Sequence, residues 1–173
     1  MSLKLRFFDL DPAVVEALSV AFADVPDATA ERADARAVLR DAGAGDAVVS
    51  PANSFGIMDG GIDAAYIRLF GLELQEAVQK AIRDEWAGEQ PVGTCLAVPI
   101  PTPAGGTSPF LLHAPTMRSP QSIRGTDAVY RAFRAVLLTA LRGVEPWRLA
   151  VEEADRGQPG RRASPIRRIL SPG

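Results

Sequence analysis

The sequence predicts an α/β domain built on a mixed, mostly parallel sheet flanked by helices. Three observations point there. Short strand-like runs alternate with segments of helical periodicity along the chain. The run Ala47-Val48-Val49 is apolar without interruption, as expected of a strand covered on both faces. The 173 residues, 47% apolar and 23% charged, suffice for one packed core.

Leu3, Leu5 and Phe7 alternate with Lys4 and Arg6, which predicts a first strand over Leu3 to Phe8. Asp9 and Asp11 offer caps, Pro12 suits a first helical turn, and Val14, Val15, Leu18 and Phe22 repeat at helical spacing. A fainter strand and helical turn span Ala28 to Asp41, followed by the Ala47–Val49 strand. Ile62 to Phe70 reads as a helix stopped by Gly71, and Leu74, Val78, Ile82 and Trp86 form one face of another. Thr94 to Ile100 and Phe110 to His113 read as strands around a Pro/Gly-rich loop, and Asp127 to Leu141 as a last long helix. Trp147 to Val151 is a candidate final strand. From Glu152 to Gly173, five arginines sit among Gly, Pro and Ser with little to pack. The expected division is therefore a domain over residues 1–151 and a basic tail over 152–173.

Composition narrows the function. Net charge is -2, with 19 basic and 21 acidic side chains, so no nucleic-acid partner is expected. The single cysteine, Cys95, can form no internal disulfide and reads as a small buried residue in a reducing compartment. Charges interrupt the first apolar stretch, and no window reaches the roughly 18 apolar residues of a membrane span. The expectation is a cytoplasmic protein without a membrane partner. No His/Cys cluster calls for a metal, and no cofactor is expected.

Chemistry concentrates between Ser50 and Asp63. A strand leads into a loop with glycines at 56, 60 and 61, and the loop opens a helix. Glycines permit positive φ and close approach of a ligand to the main chain. The amides of the following helix N-terminus favour an anion, typically phosphate. Neither a dinucleotide fingerprint nor a P-loop is present. On glycines alone, a phosphate site and a plain tight turn are equally good readings.

Ser50-Pro51-Ala52-Asn53 followed by Gly60-Gly61-Ile62-Asp63 resembles the macro domain signature, Asn-Ala-Ala-Asn and then Gly-Gly-Gly-Val-Asp. The spacing from Asn53 to Gly60 is that of macro domains which hydrolyse ADP-ribosyl groups. Phe110 to Pro115 resembles the family's His-Thr-Val-Gly-Pro segment, and the likeness runs from about Leu3 to Leu141. It implies a three-layer α/β/α fold and a partner that is ADP-ribose or an ADP-ribosylated substrate. By the resemblance, Asn53 bonds the distal ribose, and Gly60, Gly61 and Ile62 present amides to the diphosphate. Asp63 orients or activates water and stays ionised. Asp34 accepts from the adenine amino group, and Ser50 and Ala52 complete the ligand-binding set. Bland alternatives stand beside these roles: Asn53 as a turn cap, Asp63 as a helix cap, Asp34 as a surface acid, Asp59 as a turn residue, and Phe55 and Met58 as core filling.

The family's second glycine-rich loop should follow about Leu149, where this sequence offers only Gly157 and Gly160. That gap leaves three functions open: hydrolysis of an ADP-ribosyl linkage with Asn53 and Asp63 as catalytic groups, non-catalytic ADP-ribose binding, and a degenerate domain that has lost binding. A thiol enzyme using Cys95 and His113 is a distant fourth.

Overall fold

The computed structural model describes residues 3–40, 42–43, 45–101, 109–142 and 166–173. The chain runs β1 (Lys4–Asp9), α1 (Pro12–Ala21), β2 (Ala28–Arg32), α2 (Ala35–Leu39), β3 (Asp46–Ser50), α3 (Gly61–Phe70), α4 (Glu73–Trp86), β4 (Leu96–Pro99), β5 (Phe110–His113), α5 (Ala128–Arg142) and β6 (Arg168–Pro172). The local signals account for most boundaries. Asp11 caps α1 by accepting from Ala13 N at 2.9 Å, with Pro12 in the first turn. Gly71 ends α3 at φ 87°, a conformation that favours glycine.

The six strands lie in the order β2-β1-β6-β3-β5-β4. All neighbours are parallel except β4 and β5, so the sheet is mixed and mostly parallel. Successive residues face opposite sides. Phe8, Val48, Leu111 and Leu170 join the core under α2, α3 and α4. Phe7, Val49, Leu112 and Ile169 join the core under α1 and α5. Helices thus cover both faces, giving the three-layer α/β/α arrangement. On the α5 side Phe7 stacks with Phe22 at 4.5 Å and Phe133 at 5.7 Å, tying β1 to both helices.

The central strand is a correction. Residues from Glu152 onward were expected to pack poorly, yet Arg168–Pro172 lies between β1 and β3. Two forces hold it there. Ile169 and Leu170 are fully buried, one in each core. The Arg168 guanidinium also grips Asp46 with Nε at 2.9 Å and Nη2 at 2.6 Å, a two-pronged bond that fixes the register against β3. The expected strand at Trp147–Val151, and Gly157 and Gly160, lie outside the described residues. Among the described residues, no helix is long and apolar enough to cross a membrane.

Candidate functional site

Ligands of open α/β sheets settle beyond the carboxyl ends of the strands, where the connections diverge. Here that place is an open cleft of about 610 Å³. Its walls come from the ends of β1 (Phe8 to Leu10) and β6 (Pro172, Gly173), from Pro51 after β3, from Ala33 to Arg36, and from the exposed side of α3.

The segment after β3 is shaped by pairing that outlasts the strand. Ala114 N donates to Ser50 O, Thr116 N to Ala52 O, and Ser54 N to Arg118 O, at 3.0 to 3.1 Å. These bonds zip residues 50–54 to residues 114–118 and place the loop. Gly56 sits at φ +64° against α4, where an added Cβ would meet Val78 Cγ1 at 2.8 Å. Gly61 sits at φ +55° with open space above it. Gly60 caps α3 without a side-chain hydrogen bond, so the first amides of this helix keep their donor capacity.

Three residues read from the sequence line the cleft: Asp34, Gly61 and Ile62. Asp34 Oδ1 accepts from Ala37 N at 2.7 Å and caps α2. Gly60 is exposed at the start of α3 but is outside the cleft wall. Ser50 and Ala52 are buried beneath the cleft. Asn53 is also buried, and its carboxamide is committed to its own loop. Nδ2 donates to Ile57 O at 2.8 Å, while Oδ1 accepts from Phe55 N and Ile57 N at 3.1 and 3.3 Å. Met58 fills the core under α4, and Phe55 lies under the Arg118 guanidinium at 5.1 Å.

Asp63 is buried, and its carboxyl is ionised only above about pH 6. It is 6% exposed, three residues into α3, and Oδ1 accepts from Ser50 Oγ at 2.6 Å. Burial pushes its pKa up to about 6; the Ser50 bond opposes this and the charge of Asp59 adds to it. The helix N-terminus does not outweigh desolvation here. Tyr66, one turn on, is fully buried and donates to Val49 O at 2.9 Å, and its phenol is pushed up by burial and by Asp63.

The sequence reading missed Arg36 and Arg68. Both are exposed, both line the cleft, and neither makes an ion pair among the described residues. It also missed Pro172 and Gly173. The available signal was the Leu170-Ser171-Pro172 ending of β6, which repeats the Val49-Ser50-Pro51 ending of β3.

Cys95 and His113 are unsuited to nucleophilic chemistry. Burial pushes the Cys95 thiol up to about 12 and His113 down to about 3. His113 Nδ1 lies 2.7 Å from Gln90 Oε1, while Gln90 Nε2 donates to Thr94 Oγ1 and His113 O. That amide orientation makes Nδ1 the protonated nitrogen, so His113 is a neutral core residue bracing β5.

A curated relative, an uncharacterized protein of Aquifex aeolicus (strain VF5), is 38% identical over 95 residues, 53% of this chain and 50% of that protein. The chain thus spans about half the length of that relative. Among solved structures, a macrodomain of Oceanobacillus iheyensis is 17% identical with a TM-score of 0.46, covering 73% of this chain and 75% of that one. The macrodomain of Mycobacterium tuberculosis DarG is 18% identical with a TM-score of 0.46, covering 78% and 93%. The family model described as Macro domain matches residues 49–144, more than half of the sequence and the whole glycine-loop segment, and the chain belongs to the macro domain family.

Proposed function

We propose that the chain binds ADP-ribose, free or as an ADP-ribosyl group, in the cleft at the ends of β1, β3 and β6. Macro domains generally bind ADP-ribose. The observation that carries the reading here is the glycine-started α3 N-terminus, with no side-chain cap, facing a cleft of ligand size. In this reading the diphosphate meets the Gly61 and Ile62 amides, with Arg36 and Arg68 supplying positive charge at the rim. The free oxygen of Asp34 is left for the adenine amino group. Asn53 acts by shaping the loop between Asn53 and Ile57 rather than through direct contact with ribose. We further treat residues through β6 as one domain, because the cleft is incomplete without Pro172 and Gly173.

Calorimetry with ADP-ribose, AMP and ribose 5-phosphate tests the reading. ADP-ribose should bind more tightly than either fragment. No heat at millimolar ADP-ribose would sink the reading and favour a degenerate domain.

Hydrolysis is the second reading, favoured by one observation: Asp63 titrates near 6, within reach of a general base at neutral pH. Wild type should then release ADP-ribose from an ADP-ribosylated protein, and Asp63→Asn should bind ADP-ribose without turnover. Binding by wild type with no release makes the chain a reader instead.

A further inference from the structure

The cleft continues past the α3 N-terminus. Its wall on that side is one stripe of the helix: Gly61, Ile62, Ala65, Arg68 and Leu69. Arg68 comes seven residues after Gly61, about 10 Å further along the helix axis. Arg36 of α2 lines the cleft too, and α2 packs beside α3. Both arginines are exposed, and among the described residues neither has a hydrogen-bond or ion-pair partner.

The surface near them is apolar. Ala33, Ile62, Ala65 and Leu69 line the cleft while packing, partly buried, against the core below. Such a surface suits the face of a purine. Asp9 and Asp34 are the acidic side chains of the wall, and each has one oxygen engaged by a backbone amide, Asp11 N at 2.8 Å and Ala37 N at 2.7 Å. The cleft therefore offers anions two separate places. One is the pair of amides at Gly61 and Ile62; the other is the arginine pair beside the apolar surface. A diphosphate gathered on the amides is compact and leaves Arg68 about two turns of α3 away. Guanidinium forks match the oxygens of a phosphate. In a nucleotide, the group next to a bound purine is its ribose.

We propose that this end of the cleft takes a second phosphate, carried on the adenosine ribose, so that the preferred ligand is an ADP-ribose phosphorylated at the 2′ or 3′ position of that ribose. This ligand class rests on the ADP-ribose reading of the same cleft.

Calorimetry on the intact chain at low salt tests it, with ADP-ribose, its 2′- and 3′-phosphates on the adenosine ribose, ADP, and the adenosine 2′,5′- and 3′,5′-bisphosphates. One phosphorylated form should bind about tenfold tighter than ADP-ribose. The matching bisphosphate should bind tighter than ADP, which carries as many phosphates but all on one side of the ribose, so position is read apart from charge. The better isomer assigns the ribose position. Arg36→Gln with Arg68→Gln, both at exposed positions, should erase the preference while weakening ADP-ribose itself about threefold. An unchanged melting temperature confirms the fold of that variant. Equal affinity for ADP-ribose and both of its phosphates overturns the proposal. So does a double variant that loses all three ligands in equal proportion, which assigns the arginines to the diphosphate. A chain that binds none of these ligands refutes the ADP-ribose reading itself, whereas ADP-ribose binding without the preference refutes the second phosphate alone.

Discussion

Replacing Asp63 with Asn isolates what burial does to this carboxyl. The folded chain holds a proton on Asp63 up to about pH 6, whereas the ordinary value is 3.8. At about 1.36 kcal/mol per pH unit, that interval sets a ceiling of about 3 kcal/mol. The sign follows from linkage: a raised folded pKa contributes stability that is full below 3.8 and lost as pH rises through about 6. An amide at this position cannot lose a proton, so the variant escapes the loss. Its stability relative to wild type should grow by up to about 3 kcal/mol between about pH 4 and pH 7. His113 has the opposite slope. Its folded value of about 3 lies below the ordinary 6.5, so stability is lost as pH falls through that range. Between about pH 4 and pH 6 the two groups offset one another in wild type, and Asp63→Asn should expose the His113 slope of about 1.4 kcal/mol per pH unit. Urea unfolding followed by circular dichroism across this range measures both. A variant-minus-wild-type difference constant to within about 0.5 kcal/mol would refute the reasoning.

Other outcomes follow from the same geometry. His113 is the only histidine of the chain, so its ring C–H resonances are unambiguous; they should not titrate above about pH 4, and a midpoint near 6.5 would contradict its burial. Gly56→Ala must place a Cβ at φ +64° within 2.8 Å of Val78 and 2.9 Å of Ile82. Left-handed strain and overpacking together should cost about 2–4 kcal/mol in chemical denaturation, and an unchanged midpoint would show that the loop yields easily. The double variant Arg36→Glu, Arg68→Glu should weaken ADP-ribose binding about tenfold at low salt and less at high salt; equal affinity at all salt concentrations would remove these arginines from the site.

The sequence announced the elements from β1 through α5 because each carries its own signal: alternation, an unbroken apolar run, or a capped amphipathic period. β6 carries almost none. Only Ile169 and Leu170 are strongly apolar there, and the strand is specified by partners far away, above all the Arg168–Asp46 pair across 122 positions. The site divides in the same way. Gly61 and Ile62 were legible through the spacing from Asn53 to Gly60-Gly61-Ile62-Asp63, since glycines before a helix fit a plain tight turn equally well. The burial of Asp63 was not, because the direction of a third helical residue depends on how α3 lies over β3. Nor was the fate of the Asn53 carboxamide, which closes on residues two and four positions ahead only once the loop takes its shape. Arg36 and Arg68 look like ordinary solvated helix charges, and only the packing of α2 beside α3 brings both to one rim.

The placement of β6 also dictates an order of assembly. Without it the sheet is two separate pieces, β2–β1 and β3–β5–β4, each with an open edge facing the gap. Closing that gap joins Lys4 to Arg168 and Asp46 to Arg168, contacts whose chain entropy must be lost before any pairing rewards it. Contact-order reasoning makes this closure the late event in folding, and pulse-labelled hydrogen exchange should find β6 amides protected last; early protection would reverse the order. Pro172 and Gly173 arrive with that strand. A folding intermediate would therefore hold the glycine turn correctly and still lack one wall of its cleft, so the cleft and the sheet are completed in a single step.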